Sequence, residues 1–358
     1  MTKHDHSQDD LFMRRALELA RYGSGLVSPN PLVGCVIVHE GLIIGEGWHQ
    51  KYGESHAEVN AVNSVADKSL LRESTVYVNL EPCSHVGKTP PCADMLISHG
   101  VKCVVISNID TNPLVAGKGI QKLERAGISV TTGILEEAGR ILNKRFFTAM
   151  EKKRPFIILK WAETSDGFMA RMNHDSRWIS NEYSRQLTHK WRTEEDAILV
   201  GTTTAARDNP QLTVRSWTGR NPIRIVIDRK MNLDNSLHLF DHQTKTIRFN
   251  TIHNTQEENL SSVKVDDRDF LKNMLNDLYE RKIHSVFVEG GPYTLNQFIQ
   301  HNLWDEARIF GSPQRFGNGI LAPIIKGNGT TDSIFDASLT FIYNKSAEPL
   351  KVDGTSSI

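Results

Sequence analysis

The chain has 358 residues, a length that suits two ordinary domains better than one. Lysine plus arginine and aspartate plus glutamate both number 42 and the isoelectric point is near 7.3, so no global basic field advertises nucleic-acid binding. Four cysteines at irregular spacing make no disulfide framework, the opening residues are polar and no apolar run is long enough to span a membrane; a soluble cytoplasmic protein is expected.

Residues 1–9 are expected to fray. From Asp10, the spacing of Phe12, Ala16, Leu19 and Ala20 predicts an amphipathic helix ending near Gly23. Ser28-Pro29-Asn30-Pro31 is a loop, because each proline biases its predecessor away from helix. Leu32–His39 and Leu42–Trp48 read as strands joined by the Glu40-Gly41 turn, a hairpin. Ser55 with Glu58 three residues on predicts a capping box that opens a helix over His56–Ala66. Ser74–Leu80 is a strand, Cys92–His99 a helix, Lys102–Ser107 a strand, and Gly117–Ala126 a helix closed by Gly127. This alternation predicts a buried sheet between layers of helices. A helix over Glu136–Met150 leads into Glu151-Lys152-Lys153-Arg154-Pro155, a charged run that we read as the boundary between domains 1–150 and 151–358.

A second α/β pattern follows. Phe156–Trp161 is a strand and Asn181–Arg192 a helix. Ala197–Val200 is a strand entering the polar turn Gly201–Ala205; Ile223–Ile227 ends in Asp228. Ser285–Val288 ends in Glu289-Gly290-Gly291-Pro292, and Tyr293–His301 is a helix. A strand, then glycines, then a helix start suits a phosphate, though ordinary turns share the pattern, and no G-x-G-x-x-G follows a strand. Trp178, Arg192 and Arg215 are the side chains suited to an aromatic phosphate-bearing ligand, although single residues of these types are common surface cover. Residues 229–280 read as polar and irregular, without chemistry.

The chemistry concentrates in His56-Ala57-Glu58 and in Pro82-Cys83 through Cys92. One imidazole and two thiols are three zinc ligands that leave a fourth position open for water, and Glu58 is a spare carboxylate for proton transfer. The zinc-deaminase signature is H-x-E…P-C-x-x-C; here eight residues separate the cysteines instead of two. Cys35 and Cys103 lie in apolar runs and read as buried core thiols, whereas Cys83 and Cys92 lie in a polar loop. A structural zinc with His85 as fourth ligand is the competing reading, and a capping role alone would also account for Glu58.

Residues 11–149 resemble the bifunctional riboflavin-biosynthesis deaminase/reductase family. The resemblance rests on Pro29-Asn30-Pro31-Leu32-Val33-Gly34, Gly45-Glu46-Gly47-Trp48-His49, His56-Ala57-Glu58-Val59-Asn60-Ala61, and Leu80-Glu81-Pro82-Cys83-Ser84-His85 through Thr89-Pro90-Pro91-Cys92. The long cysteine gap is this family's own form. The second half resembles the family's reductase domain through Leu159-Lys160, Ser165-Asp166-Gly167, Ser176-Arg177-Trp178-Ile179, Asp208-Asn209-Pro210 through Arg215, Pro222 through Asp228, and Val288-Glu289-Gly290-Gly291-Pro292.

The resemblance implies a cytidine-deaminase-like αβα sandwich followed by a dihydrofolate-reductase-like α/β domain. It implies deamination of 2,5-diamino-6-(5-phosphoribosylamino)pyrimidin-4-one, then NADPH-dependent reduction of the ribosyl group. His56, Cys83 and Cys92 would hold zinc, and Glu58 would shuttle protons. Ser176, Arg192, Leu212, Arg215 and Glu289 would lie near the substrate. Ala162, Trp178, Thr204, Asp208, Gly291, Pro292, Tyr293 and Thr294 would lie near NADPH. The partner would be a small pyrimidine ribotide, with no nucleic acid or membrane, and the chain could associate with its own copies through the reductase domain. The rival functions are an RNA adenosine deaminase, a zinc-stabilised binding protein, and a deaminase whose second domain is silent.

Overall fold

The computed structural model describes residues 6–84, 90–112, 115–173, 175 and 179–344. The chain forms two compact units, Met1–Lys152 and Lys153–Ile358. None of the described helices is long and apolar enough to cross a membrane.

The first unit contains α1 (His6–Arg21), β1 (Gly34–His39), β2 (Leu42–Trp48), α2 (Ala57–Ser64), β3 (Thr75–Leu80), α3 (Cys92–His99), β4 (Cys103–Asn108), α4 (Lys118–Arg125), β5 (Ser129–Thr132), α5 (Glu136–Leu142) and α6 (Lys144–Lys152). Its sheet has the order β2-β1-β3-β4-β5, with β1 antiparallel to both neighbours and β3, β4 and β5 parallel. Alternate residues point to opposite faces of a strand. Cys35, Ile37, Val76, Val78, Val104 and Ile106 therefore meet Ala61, Leu96 and Leu123 of α2, α3 and α4. Val36, Val38, Tyr77 and Val105 meet Phe12, Met13 and Ala16 of α1 on the other face. Strands apolar on both faces need cover on both, and the three-layer sandwich supplies it. Gly47 of β2 sets how closely α2 lies on the sheet. A Cβ there would stand 2.3 Å from the Ala61 backbone nitrogen, so any side chain would push away the helix that carries Glu58.

Several sequence expectations are corrected here. α1 begins at His6, before Asp10, and the Tyr77 hydroxyl donates to Asp9 at 2.8 Å. The capping box does not form: His56 is the N-cap, without a side-chain cap, and the helix ends at Ser64. The Ser55 carbonyl instead accepts from the His49 ring at 3.0 Å and the Asn60 amide at 3.4 Å. The helix expected over Glu136–Met150 breaks at Asn143, whose side chain accepts from the Leu32 N–H and donates to the Leu32 carbonyl.

The second unit contains β6 (Phe156–Thr164), β7 (Phe168–Ala170), α7 (Glu182–Glu194), β8 (Ala197–Gly201), α8 (Thr202–Asp208), β9 (Ile223–Ile227), β10 (Thr246–Asn250), β11 (Thr255–Gln256), β12 (Leu260–Lys264), α9 (Phe270–Glu280), β13 (Ser285–Val288), α10 (Pro292–Gln300), β14 (Glu306–Ser312), β15 (Ile320–Leu321), β16 (Asn328–Ile334) and β17 (Ala337–Tyr343). The large sheet runs β11-β12-β10-β9-β8-β13-β6-β14-β17-β16. It is parallel from β12 to β14 and antiparallel at both margins. Ile157, Leu159, Leu199 and Val286 face α9 and α10, while Ile158, Ile198, Val200 and Phe287 face α7. On that second face Trp191 stacks on Phe310, with ring centroids 5.5 Å apart.

Two further corrections arise in this unit. Gly201–Ala205 is a strand end running directly into helix, not a turn. Residues 229–280 hold β10, β12 and α9. Thr246-Ile247-Arg248-Phe249-Asn250 is buried throughout although it carries an arginine and an asparagine, because Arg248 lies over the Phe240 ring and Asn250 donates to the Val263 carbonyl. Buried polar residues that find partners leave no hydrophobic trace in composition.

Candidate active sites

In the first unit His56 and Cys92 both stand where a helix begins, at the start of α2 and of α3, and Cys83 follows the carboxyl end of β3. His56 Nδ1 lies 3.6 Å from Cys83 Sγ and 3.4 Å from Cys92 Sγ, and all three ligand atoms lie within 4.8 Å of one another. A tetrahedral zinc with bonds of about 2.3 Å to sulfur and about 2.05 Å to nitrogen separates N and S by roughly 3.5 Å, so the residues fit the ion. The Cys92 N–H donates to Cys83 Sγ at 3.3 Å. Hydrogen bonds from the Cys92 thiol and then from His56 hold the Cys83 thiol well below its ordinary value, and Cys92 is correspondingly raised. The pair therefore holds one thiolate readily, as a cation site needs.

Glu58 is 3% exposed. Burial, and after it the Cys83 charge, push its carboxyl up to about 6. Cys35 and Cys103 lie apart from this cluster, Cys35 fully buried beneath α2 and raised by burial. Beside the cluster, the His49 ring sits edge-on to His56 at 5.6 Å. Its Nδ1 faces the Ser55 carbonyl and so carries the proton, leaving Nε2 to accept from the Asn30 amide at 3.1 Å.

One residue of this motif carries a role the spacing did not reveal. Glu81 is buried and accepts backbone N–H groups from Asp110, Gly117, Gly119 and Ile120, at 3.2, 2.9, 2.9 and 3.3 Å. Gly119 also abuts the Pro82 carbonyl so closely that a Cβ would stand 2.1 Å from it. Glu81-Pro82 is thus pinned against the start of α4, and Cys83 leaves from a fixed point.

In the second unit a cleft of about 680 Å³ opens along the carboxyl ends of the adjacent strands β9, β8, β13 and β6. Open α/β sheets bind ligands at that edge. Ala162, Thr204, Asp208, Glu289, Gly291, Pro292, Tyr293 and Thr294 line it. The starts of α8 and α10 meet there: the Gly291 N–H donates to Thr204 Oγ1 at 3.0 Å, and a Cβ on Gly201 would stand 2.3 Å from Thr294 Oγ1. The N-terminus of α10 lies at this edge, with Gly291 as its N-cap and Pro292, which has no N–H, as its first residue.

Charged groups gather at one end. Arg192 grips Glu289 with two nitrogens, at 2.8 and 3.1 Å, and gives its third to the Thr213 carbonyl. Lys160 Nζ, which also lines the cleft, is 3.7 Å from Glu289. Burial pushes the Glu289 carboxyl up, but Arg192 and Lys160 outweigh it and hold it at about 2. Burial pulls the Lys160 ammonium below its usual range, with Glu289 opposing. His189 accepts the Arg215 N–H at Nδ1 and is held at about 4 by burial and then by the Arg192 and Arg215 cations. Arg215 reaches this cluster through its backbone, its guanidinium turning to Gln211. Leu212 packs its side chain in the core, 3% exposed, on a left-handed backbone at φ 57°. Ser176 and Trp178 lie outside the described residues, as does His85.

Residues 6–108 match the cytidine and deoxycytidylate deaminase zinc-binding region, and residues 155–344 match the RibD C-terminal domain. The sequence is 41% identical to riboflavin biosynthesis protein RibD of Aquifex aeolicus over 322 residues, covering 87% of this chain and 89% of that protein. It is 39% identical to RibD of Bacillus amyloliquefaciens over 331 residues, covering 90% and 89%. The chain belongs to the RibD family. A crystal structure of a diaminohydroxyphosphoribosylaminopyrimidine deaminase/5-amino-6-(5-phosphoribosylamino)uracil reductase from Thermotoga maritima superposes with a TM-score of 0.86 at 38% identity, covering 95% of this chain and 99% of that one.

This RibD chain is accordingly a bifunctional enzyme of riboflavin biosynthesis, a zinc-binding deaminase joined to an NADPH-dependent reductase. The fold classes implied by the sequence resemblance hold for both halves. Sequence reasoning passed over Lys160 as a site residue. The signal was available: a lone lysine inside the apolar strand Phe156-Ile157-Ile158-Leu159-Lys160-Trp161 needs a partner or a purpose, since an unpaired buried charge is costly.

Proposed function

We propose that the two units carry out consecutive steps. Residues 1–150 hydrolytically deaminate 2,5-diamino-6-(5-phosphoribosylamino)pyrimidin-4-one, releasing ammonia. Residues 151–358 reduce the ribosyl group of that product to give 5-amino-6-(5-phosphoribitylamino)uracil. The observation that carries the reading is the convergence of His56, Cys83 and Cys92 beside the buried Glu58.

His56, Cys83 and Cys92 hold zinc, which when bound makes water a competent nucleophile near neutral pH. Glu58 remains off the metal. Its carboxyl, raised to about 6, accepts one proton from the attacking water and gives it to the ring nitrogen, then takes that water's second proton from the new hydroxyl and gives it to the departing amine. Burial keeps that proton from bulk solvent.

In the second step NADPH supplies hydride. Reduction of a ribosyl group adds hydride at the anomeric carbon, breaks its bond to the ring oxygen and delivers a proton to that oxygen. Lys160 is our assignment for the proton donor, because its depressed, largely buried ammonium lines the cleft beside Glu289. Ser176, Arg192, Leu212, Arg215 and Glu289 form the substrate side; Ala162, Trp178, Thr204, Asp208, Gly291, Pro292, Tyr293 and Thr294 form the cofactor side. The enzyme takes a small ribotide rather than a nucleic acid, works in the cytoplasm and associates with its own copies through the reductase unit.

Ammonia release and NADPH oxidation, followed together with zinc-loaded wild type and Glu58→Gln, test the scheme. Ammonia followed by NADPH loss is expected in wild type, with both absent and zinc retained in the variant. Ammonia without NADPH oxidation would leave a deaminase with a silent second unit; ammonia from an RNA oligonucleotide alone would overturn the substrate.

A further inference from the structure

The run Pro29-Asn30-Pro31-Leu32-Val33-Gly34 leads into β1 and supplies neither a zinc ligand nor a carboxylate. Its backbone is nevertheless held by two buried asparagines. Asn143 Oδ1 accepts the Leu32 N–H at 2.8 Å, and Asn143 Nδ2 donates to the Leu32 carbonyl at 2.9 Å. A facing residue of an antiparallel strand would make the same pair of bonds, so one side-chain amide stands in for a strand. Asn79 of β3 donates a second time to the Leu32 carbonyl, at 2.9 Å, and accepts the Gly34 N–H at 2.8 Å. Asn143 is 3% exposed and lies 111 residues from Leu32, beyond the stretch 6–108 that matches the deaminase zinc-binding region. It is also the residue at which α5 ends and the expected long helix breaks.

The clamped run reaches the metal cluster through His49. The Val33 carbonyl accepts the His49 N–H at 2.8 Å, and the Asn30 amide donates to His49 Nε2 at 3.1 Å. Backbone and ring of His49 are therefore both tied to this run. Its Nδ1 donates to the carbonyl of Ser55, the residue before His56, at 3.0 Å, and its ring stands edge-on to the His56 ring. His49 is buried, so water is a poor substitute for any bond it loses.

We infer that Asn143 is a positioning residue of the deaminase site: it fixes the Leu32 backbone and, through His49, the orientation of His56 toward the metal. The inference rests on the reading of His56 as a zinc ligand. Partners outside the ligand set orient the ligands and tune metal affinity. Asn143 stands several bonds further out, so its effect passes through each member of the chain Leu32, His49 and Ser55. A buried amide that serves two backbone groups also stabilises the fold in its own right. The two roles separate in how Asn143 couples to His49.

Chelator competition for zinc and the visible absorption of the Co²⁺-loaded full-length protein test this, since cobalt bands report ligand geometry. Asn143→Leu keeps the size of the side chain and removes both bonds. Its zinc affinity should fall about 10-fold, its cobalt bands should shift and its ammonia release should decline, with NADPH oxidation on the deaminated substrate unchanged. Asn143→Asp keeps the acceptor for the Leu32 N–H and should fall between wild type and Asn143→Leu; it carries the comparison if Asn143→Leu does not fold. His49→Ala severs the chain, so adding either Asn143 substitution to it should change zinc affinity and the cobalt spectrum no further. Additive losses in the double variant overturn the inference. So does a lowered unfolding midpoint with wild-type zinc affinity and cobalt spectrum, which would leave Asn143 a stabilising residue only. Wild type that takes up no Co²⁺ overturns the reading of His56 as a ligand, and this assignment with it.

Discussion

The two candidate sites are assembled in opposite ways. In the first unit three ligand atoms and a carboxylate come from two short stretches, and each ligand stands where a helix begins or a strand has just ended. In the second unit the cleft draws on four strand ends spread over some 130 residues of sequence, and its charged centre pairs Arg192 of α7 with Glu289 beyond β13 and Lys160 of β6. A site built from neighbours in sequence is fixed by local geometry. A site built across a sheet depends on the register of every strand beneath it.

Replacing Lys160 is the sharpest way to break that contrast. Lys160→Met should lower ribosyl reduction by at least ~10²-fold while NADPH still binds, as single-turnover oxidation and a binding titration would register. Reduction at the wild-type rate would remove Lys160 from the chemistry and return the proton-donor role to an unassigned group.

A smaller effect is expected at Glu81. Glu81→Gln presents an amide to four backbone N–H groups that now share a carboxylate, so the start of α4 and the departure point of Cys83 should loosen. Zinc affinity measured by chelator competition should fall about 10- to 100-fold, with NADPH oxidation on the deaminated substrate unaffected. Unchanged zinc affinity would mean that His56 and Cys92 hold the site without help from α4.

The mildest effect concerns acid. Neutral His189 and ionised Glu289 both have values depressed by folding. The His189 contribution is fully present above its ordinary value, about 6.5, and is lost as pH falls toward 4; that of Glu289 is lost between about 4.3 and 2. The unfolding midpoint of the second unit should therefore decline below pH 6.5. His189→Gln, which keeps an acceptor for the Arg215 N–H, should flatten the first part of that decline. A midpoint independent of pH from 7 to 4 would mean that His189 is already protonated in the folded unit.

The same contrast explains what could be read from sequence. His56, Glu58, Cys83 and Cys92 were legible because metal ligands are scarce residue types in a fixed spacing. The role of Glu81 was not, since its partners lie about 30 to 40 residues away and are backbone groups with no side-chain signature. Glu58 was also open to a purely capping explanation, which is removed because His56, not Ser55, is the N-cap of α2 and no side chain caps it. β10 went unseen because Arg248 and Asn250 disguise a buried strand. Leu212 shows the limit of motif placement: sequence neighbours such as Leu212 and Arg215 share a motif yet differ in whether their side chains enter the core.

The wall of the cleft also contains Trp161, 2% exposed, with its indole N–H held by Glu163 at 2.7 Å. A rigid, desolvated indole emits in the range where a reduced nicotinamide ring absorbs. The protein thus carries its own optical reporter: emission from Trp161 should dim when reduced cofactor occupies the cleft and recover as it is oxidised, so that occupancy and turnover can be followed in one unlabelled sample.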